Sequence, residues 1–93
     1  MRLAAEEIKT IKSAVHSSDP SAKIFLFGSR TNDSTRGGDI DLLILSPNLT
    51  FADKLKIKAN IFERLAEQKI DVIIARDLED PFVRHAFNNG VPL

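Results

Sequence analysis

The residues of this 93-residue chain best suited to chemistry are two aspartates one position apart, in Asp39-Ile40-Asp41. They open the run Asp39-Ile40-Asp41-Leu42-Leu43-Ile44-Leu45, whose composition and alternation predict a β-strand broken by Ser46-Pro47-Asn48. Side chains at i and i+2 of a strand share a face, with backbones roughly 7 Å apart, so the two carboxylates can converge on one small volume. Held there alone they repel, and one tends to take up a proton. A divalent cation removes the conflict. Mg2+ prefers oxygen ligands and is commonly held by one or two carboxylates together with substrate phosphates. The competing reading is a solvated strand face, because one-sided sheets alternate polar and apolar residues in any case. Asp is disfavoured in strands, which favours a role over accident.

Gly28-Ser29 strengthens the metal reading. Lys23-Ile24-Phe25-Leu26-Phe27 is short, rich in β-formers, and predicts a buried strand that stops at Gly28. A Gly there lets the backbone turn sharply and approach a ligand closely. Backbone N–H groups at such a turn can bind phosphate oxygens, and Ser29 adds a hydroxyl. Arg30 and Arg36, in the same loop, can neutralise phosphate charge. A Gly-Ser pair also serves plain turning. Its position at the end of one strand, shortly before the Asp-x-Asp strand, places a phosphate cradle beside a metal site if the strands are neighbours. Asp71 is the third acid. It lies one residue into the apolar run Ile70-Asp71-Val72-Ile73-Ile74-Ala75, where a charge needs compensation by a shared metal, a helix N-terminus or an Arg.

The elements that must position these residues follow from periodicity. Ala4, Ile8, Ile11 and Val15 recur at helical spacing and predict a first helix, ended by Ser17-Ser18-Asp19-Pro20. Thr50 and Asp53 resemble a capping box, and Phe51, Leu55, Ala59, Phe62 and Leu65 mark the apolar side of a second helix running to about Gln68. Asp80-Pro81 starts a short third helix with Val83, Ala86 and Phe87 on its apolar side, closed by Asn89-Gly90. The order helix, strand, loop, strand, helix, strand, helix gives an α/β or α+β class, with a small sheet and helices packed on one face, in a single domain over 1–93. The phenylalanines fall at core spacings and call for no cofactor. His16 and His85 read as surface or packing residues.

Composition bounds the function. Thirteen basic and 13 acidic residues cancel, which argues against coating nucleic acid or an anionic membrane through bulk charge. No cysteine is present, which removes disulfides, thiolate catalysis and cysteine-zinc sites. The acidic start Glu6-Glu7 does not read as a signal peptide, and no run approaches the ~20 apolar residues of a membrane span. The expected location is the cytoplasm. Walker-type, Gly-x-Gly-x-x-Gly, Gly-x-Ser-x-Gly and His-Glu-x-x-His motifs are absent.

Gly28-Ser29, nine residues, then Asp39-x-Asp41 resembles the signature of the DNA polymerase β-like nucleotidyltransferase superfamily. The stretch Gly28-Ser29-Arg30 to Gly38-Asp39-Ile40-Asp41-Leu42 and the ending Gly90-Val91-Pro92-Leu93 look like its minimal, MNT-type members. The resemblance implies a small mixed sheet, with Asp39, Asp41 and Asp71 as the catalytic and metal-binding acids and Gly28 and Ser29 on the triphosphate, beside the loop cation Arg30. It implies transfer of a nucleoside monophosphate, commonly AMP from ATP, to an acceptor hydroxyl with two Mg2+ ions. Minimal members are similar to antitoxins paired with an HEPN-domain toxin, where a toxin tyrosine can be the acceptor. This chain has no Tyr and cannot be its own tyrosine acceptor. Larger relatives carry extra domains that grip the acceptor, and without them a protein partner or a homo-oligomer is expected. The alternatives are a binding subunit that neutralises its partner by occlusion, and a structural domain with incidental acids.

Overall fold

The computed structural model describes residues 4–28, 40–65 and 70–93. Its elements run α1 (Ala5–His16), β1 (Lys23–Phe27), β2 (Ile40–Leu45), α2 (Phe51–Arg64), β3 (Ile70–Ala75), α3 (Pro81–Asn89) and β4 (Val91–Pro92). The strands form one mixed sheet in the order β3-β2-β1-β4. β1 pairs antiparallel with β2 and with β4, whereas β2 pairs parallel with β3. A parallel neighbour needs a crossover, and α2 supplies it. The expected α+β class and element order hold, and the loop read over 29–38 lies outside the described residues.

Local chemistry explains the helix starts. Thr50 Oγ1 accepts from the Asp53 N–H at 3.2 Å, and the Asp53 carboxylate accepts from the Thr50 N–H at 2.9 Å. This reciprocal cap is the one expected, with Asp in place of the usual Glu. Asp80 accepts the Phe82 N–H at 2.7 Å with Pro81 at the first helical position. Two ends differ from expectation. α2 stops at Arg64, because Leu65 leaves helical geometry (φ −120°, ψ 46°) and packs against the core. Gly90 closes α3 in extended backbone (φ −85°) rather than a left-handed turn. Glycine is required there by space: an added Cβ would stand 2.7 Å from the Ala86 carbonyl oxygen and 3.2 Å from that of Leu26. The tight approach lets the chain enter β4, a two-residue edge strand the sequence pattern does not announce. Pro92 is tolerated at such an edge.

The sheet separates two cores. Ile24, Leu26, Ile40, Leu42, Ile44, Ile70 and Val72 meet Ile11, Val15, Ile57 and Ile61 from α1 and α2. On the opposite face Leu43 packs with Val83 and Ala86 of α3, flanked by Phe25, Phe27 and Ile73. The two long helices thus share one face as expected, while the short α3 lies on the other. The apolar side of α2 also departs from expectation. Phe51, Leu55 and Phe62 are 71%, 54% and 60% exposed, and Ile57 and Ile61 do the packing. Both stripes have helical period, and periodicity alone does not say which one meets the sheet.

At one end of the sheet, Asp19 is buried beside Ser46 at the end of β2. Its carboxylate accepts from the Ser46 hydroxyl, from the Ser21 hydroxyl at 2.8 Å and from the Ser21 N–H at 3.0 Å. The Ser46 hydroxyl, then the two Ser21 groups, hold its carboxyl down from 3.8 to about 2, against the opposing pull of burial. A depressed carboxylate stabilises the fold above about pH 4, and that contribution disappears as pH falls through about 2. Asp19→Ala should therefore melt at a lower temperature than wild type at pH 7, with the gap closing between pH 4 and pH 2. A gap in Tm that stays constant over that range contradicts this role.

Candidate active site

The opposite end of the sheet carries the acids. In the parallel pairing of β2 and β3, Asp41 is the register partner of Asp71. The following partners on the same face, Leu43 with Ile73, pack under α3, so the two aspartates project to the α3 side of the sheet. Neighbouring strands stand about 4.8 Å apart, which brings the two carboxylate stems side by side. Both aspartates are half-buried. Ile40 and Ile70, their N-terminal neighbours, point into the other core and anchor both strands at this end.

Gly28 completes the described part. It follows β1 directly, in the left-handed region at φ +78°. An added Cβ would collide with Asp41 Oδ2. The Asp41 carboxylate therefore lies over the Gly28 backbone, in space that any side chain would take. Two independent constraints select glycine here: the backbone angle and the approach of the acid. In the antiparallel pairing Phe27 is the partner of Asp41. A row thus crosses the sheet on one face: Phe27 on β1, Asp41 on β2, Asp71 on β3.

The structure brings Gly28, Asp41 and Asp71 together. Asp39, Ser29 and Arg30, and with them Arg36, lie outside the described residues. Among the described residues, no group of three His, Cys, Asp or Glu side chains is placed to hold a metal ion. Asp41 and Asp71 are two of the three acids read from the sequence. Their donors are oxygen only, which suits a hard divalent cation. His16 and His85 stand apart from the acids: His16 Nε2 meets the Ala22 carbonyl at 3.1 Å, and His85 is exposed on α3 beside Asn89. In the sequence Phe27 reads as an ordinary strand residue; the structure sets it beside Asp41, directly before Gly28.

The four-stranded mixed sheet with three helices is consistent with the nucleotidyltransferase fold. A family model described as Polymerase beta, Nucleotidyltransferase matches residues 9–93, and the chain belongs to that family. Membership makes nucleotidyl transfer its general activity class. A comparison with curated proteins finds no match. Among the described residues no helix is long and apolar enough to cross a membrane.

The Gly28 geometry gives a direct test. Gly28→Ala should lose about 1–2 kcal/mol from the backbone angle alone, and more from the clash with Asp41. At about 4–8 °C per kcal/mol for a domain of this size, the Tm should drop by at least that interval. Adding Asp41→Ala should recover part of the loss, because the clash is shared by the two sites. Strictly additive losses would mean that the two residues do not touch.

Proposed function

We propose that this chain transfers a nucleoside monophosphate, AMP from ATP, to a hydroxyl on a partner protein. The proposed partner is an HEPN-type toxin, with this chain as its antitoxin in the cytoplasm. The observation that carries the reading is the register pairing of Asp41 with Asp71, with the Gly28 backbone beneath the Asp41 carboxylate. Family membership supports the reaction class.

Asp39, Asp41 and Asp71 would hold Mg2+, two ions in the proposed scheme. When bound, Mg2+ would offset charge on the triphosphate and on the departing pyrophosphate. Gly28 and Ser29, with Arg30, would seat the triphosphate, Gly28 through the close approach that its missing side chain allows. The acceptor oxygen forms a bond to the α-phosphorus as the bond from that phosphorus to the bridging oxygen of pyrophosphate breaks. The acceptor proton passes to Asp71, which stands across from Asp41 at the strand edge of the site. The products are the adenylylated hydroxyl and pyrophosphate.

The test uses ATP labelled at the α-phosphate, Mg2+ and the product of the neighbouring gene. Wild type should label that protein, and Asp41→Asn or Asp71→Asn should reduce the rate about 100-fold or more, the range expected for loss of acid-base or charge-stabilising groups. Absence of transfer from all four nucleoside triphosphates, with the complex formed, overturns the proposal. A second reading, a silent subunit that neutralises its partner by covering it, draws on the exposed Phe51, Leu55 and Phe62 of α2. It predicts that the Asp41→Asn, Asp71→Asn double variant still neutralises the partner.

A further inference from the structure

Four large hydrophobic side chains are conspicuously exposed among the described residues: Phe51, Leu55, Phe62 and Phe82. The first three lie on α2, which packs against the face of the sheet opposite the acids. Phe82 alone lies on the acids' face. It is 57% exposed, while Val83 and Ala86 of the same helix fill the core beneath α3.

Phe82 is held in place despite that exposure. It follows Pro81 at the start of α3, and its N–H is donated to the Asp80 carboxylate at 2.7 Å. Its ring meets that of Phe27 at 6.3 Å between centroids with the planes at 83°. An edge-to-face contact of this kind covers at most one face of the Phe82 ring, so Phe27 leaves the other uncovered. Phe27 is the strand partner of Asp41, and direct partners carry Cβ atoms about 4.5–5.5 Å apart. The Phe82 ring is therefore separated from the acids' row by the Phe27 side chain alone. In a nucleotide the ribose likewise sets the base apart from the α-phosphate.

We propose that the Phe82 ring, braced by Phe27, is the platform on which the nucleobase of the donor nucleotide stacks. This inference rests on the nucleotidyl-transfer reading above and adds to it the base-binding surface. Two other polar groups of α3 are occupied elsewhere. The Arg84 guanidinium donates to the Leu78 and Glu79 carbonyls, each at 3.1 Å, and Asn89 Nδ2 donates to the His85 carbonyl at 2.9 Å. Stacking on Phe82 uses the π-face, which every base possesses, and by itself discriminates little between bases.

Calorimetric titration of wild type, Phe82→Ala and Phe82→Trp with Mg2+ and either ATP, CTP or inorganic tripolyphosphate tests the proposal. Loss of one stacking contact should weaken ATP and CTP binding by Phe82→Ala about tenfold or more. Tripolyphosphate, which has no base, should bind wild type and Phe82→Ala equally. Phe82→Trp should restore nucleotide affinity and shows that the site tolerates substitution. Unchanged ATP affinity in Phe82→Ala overturns the platform while leaving nucleotidyl transfer standing, and so does an equal loss for tripolyphosphate. Wild type that binds neither ATP nor tripolyphosphate overturns both.

Discussion

The parallel register of β2 and β3 is the constraint on which the rest depends. It sets Asp41 opposite Asp71. Side chains alternate along a strand, so a slip of one residue on either strand would send one acid into the core that α1 and α2 cover. The apolar residues between the acids' positions forbid that slip. Ile40, Leu42 and Ile44 on β2, and Ile70 and Val72 on β3, are buried on the α1 and α2 side. The hydrophobic effect thus fixes a polar geometry: burying those side chains leaves the acids no other place.

The two faces of the sheet divide the work. One carries the larger core and both long helices. The other carries a smaller core under α3, and at its end the row of Phe27, Asp41 and Asp71. Gly28 belongs to both problems. It ends β1, whose side chains feed both cores, and its bare backbone admits the Asp41 carboxylate. At the far end of the sheet the buried Asp19 ties the turn before β1 to the end of β2 through Ser46. Neighbouring strands are thus held in line by means that do not touch the acids.

Much of this was legible in the sequence, for identifiable reasons. Thr50 with Asp53 and Asp80 with Pro81 announce helix starts because caps are local chemistry. The two strands bearing Asp41 and Asp71 were readable because β-formers and breakers bound them. That Asp71 joins Asp41 follows from the shared-metal reading, but that the two are exact register partners was not readable, since register is decided by packing between segments thirty residues apart. The exposed face of α2 was misjudged for the same kind of reason: Phe51, Leu55 and Phe62 repeat as well as Ile57 and Ile61 do, and only the sheet selects between them. β4 escaped notice because Val91-Pro92 is too short to carry a pattern, and its pairing depends on the close approach at Gly90. Asp39, Ser29 and Arg30 remain expectations from the sequence.

The most direct test of the site's physics is the coupling between Asp41 and Asp71. Melting temperatures of wild type, Asp41→Asn, Asp71→Asn and the double variant form a cycle that isolates their interaction. It should be run in EDTA and again with Mg2+ and a non-hydrolysable ATP analogue. Two carboxylates side by side predict repulsive coupling in EDTA, and a sign reversal with the metal and nucleotide, in which the wild-type Tm rises most. Additive effects under both conditions, with a wild-type Tm that metal and nucleotide leave unmoved, would contradict a shared cation site.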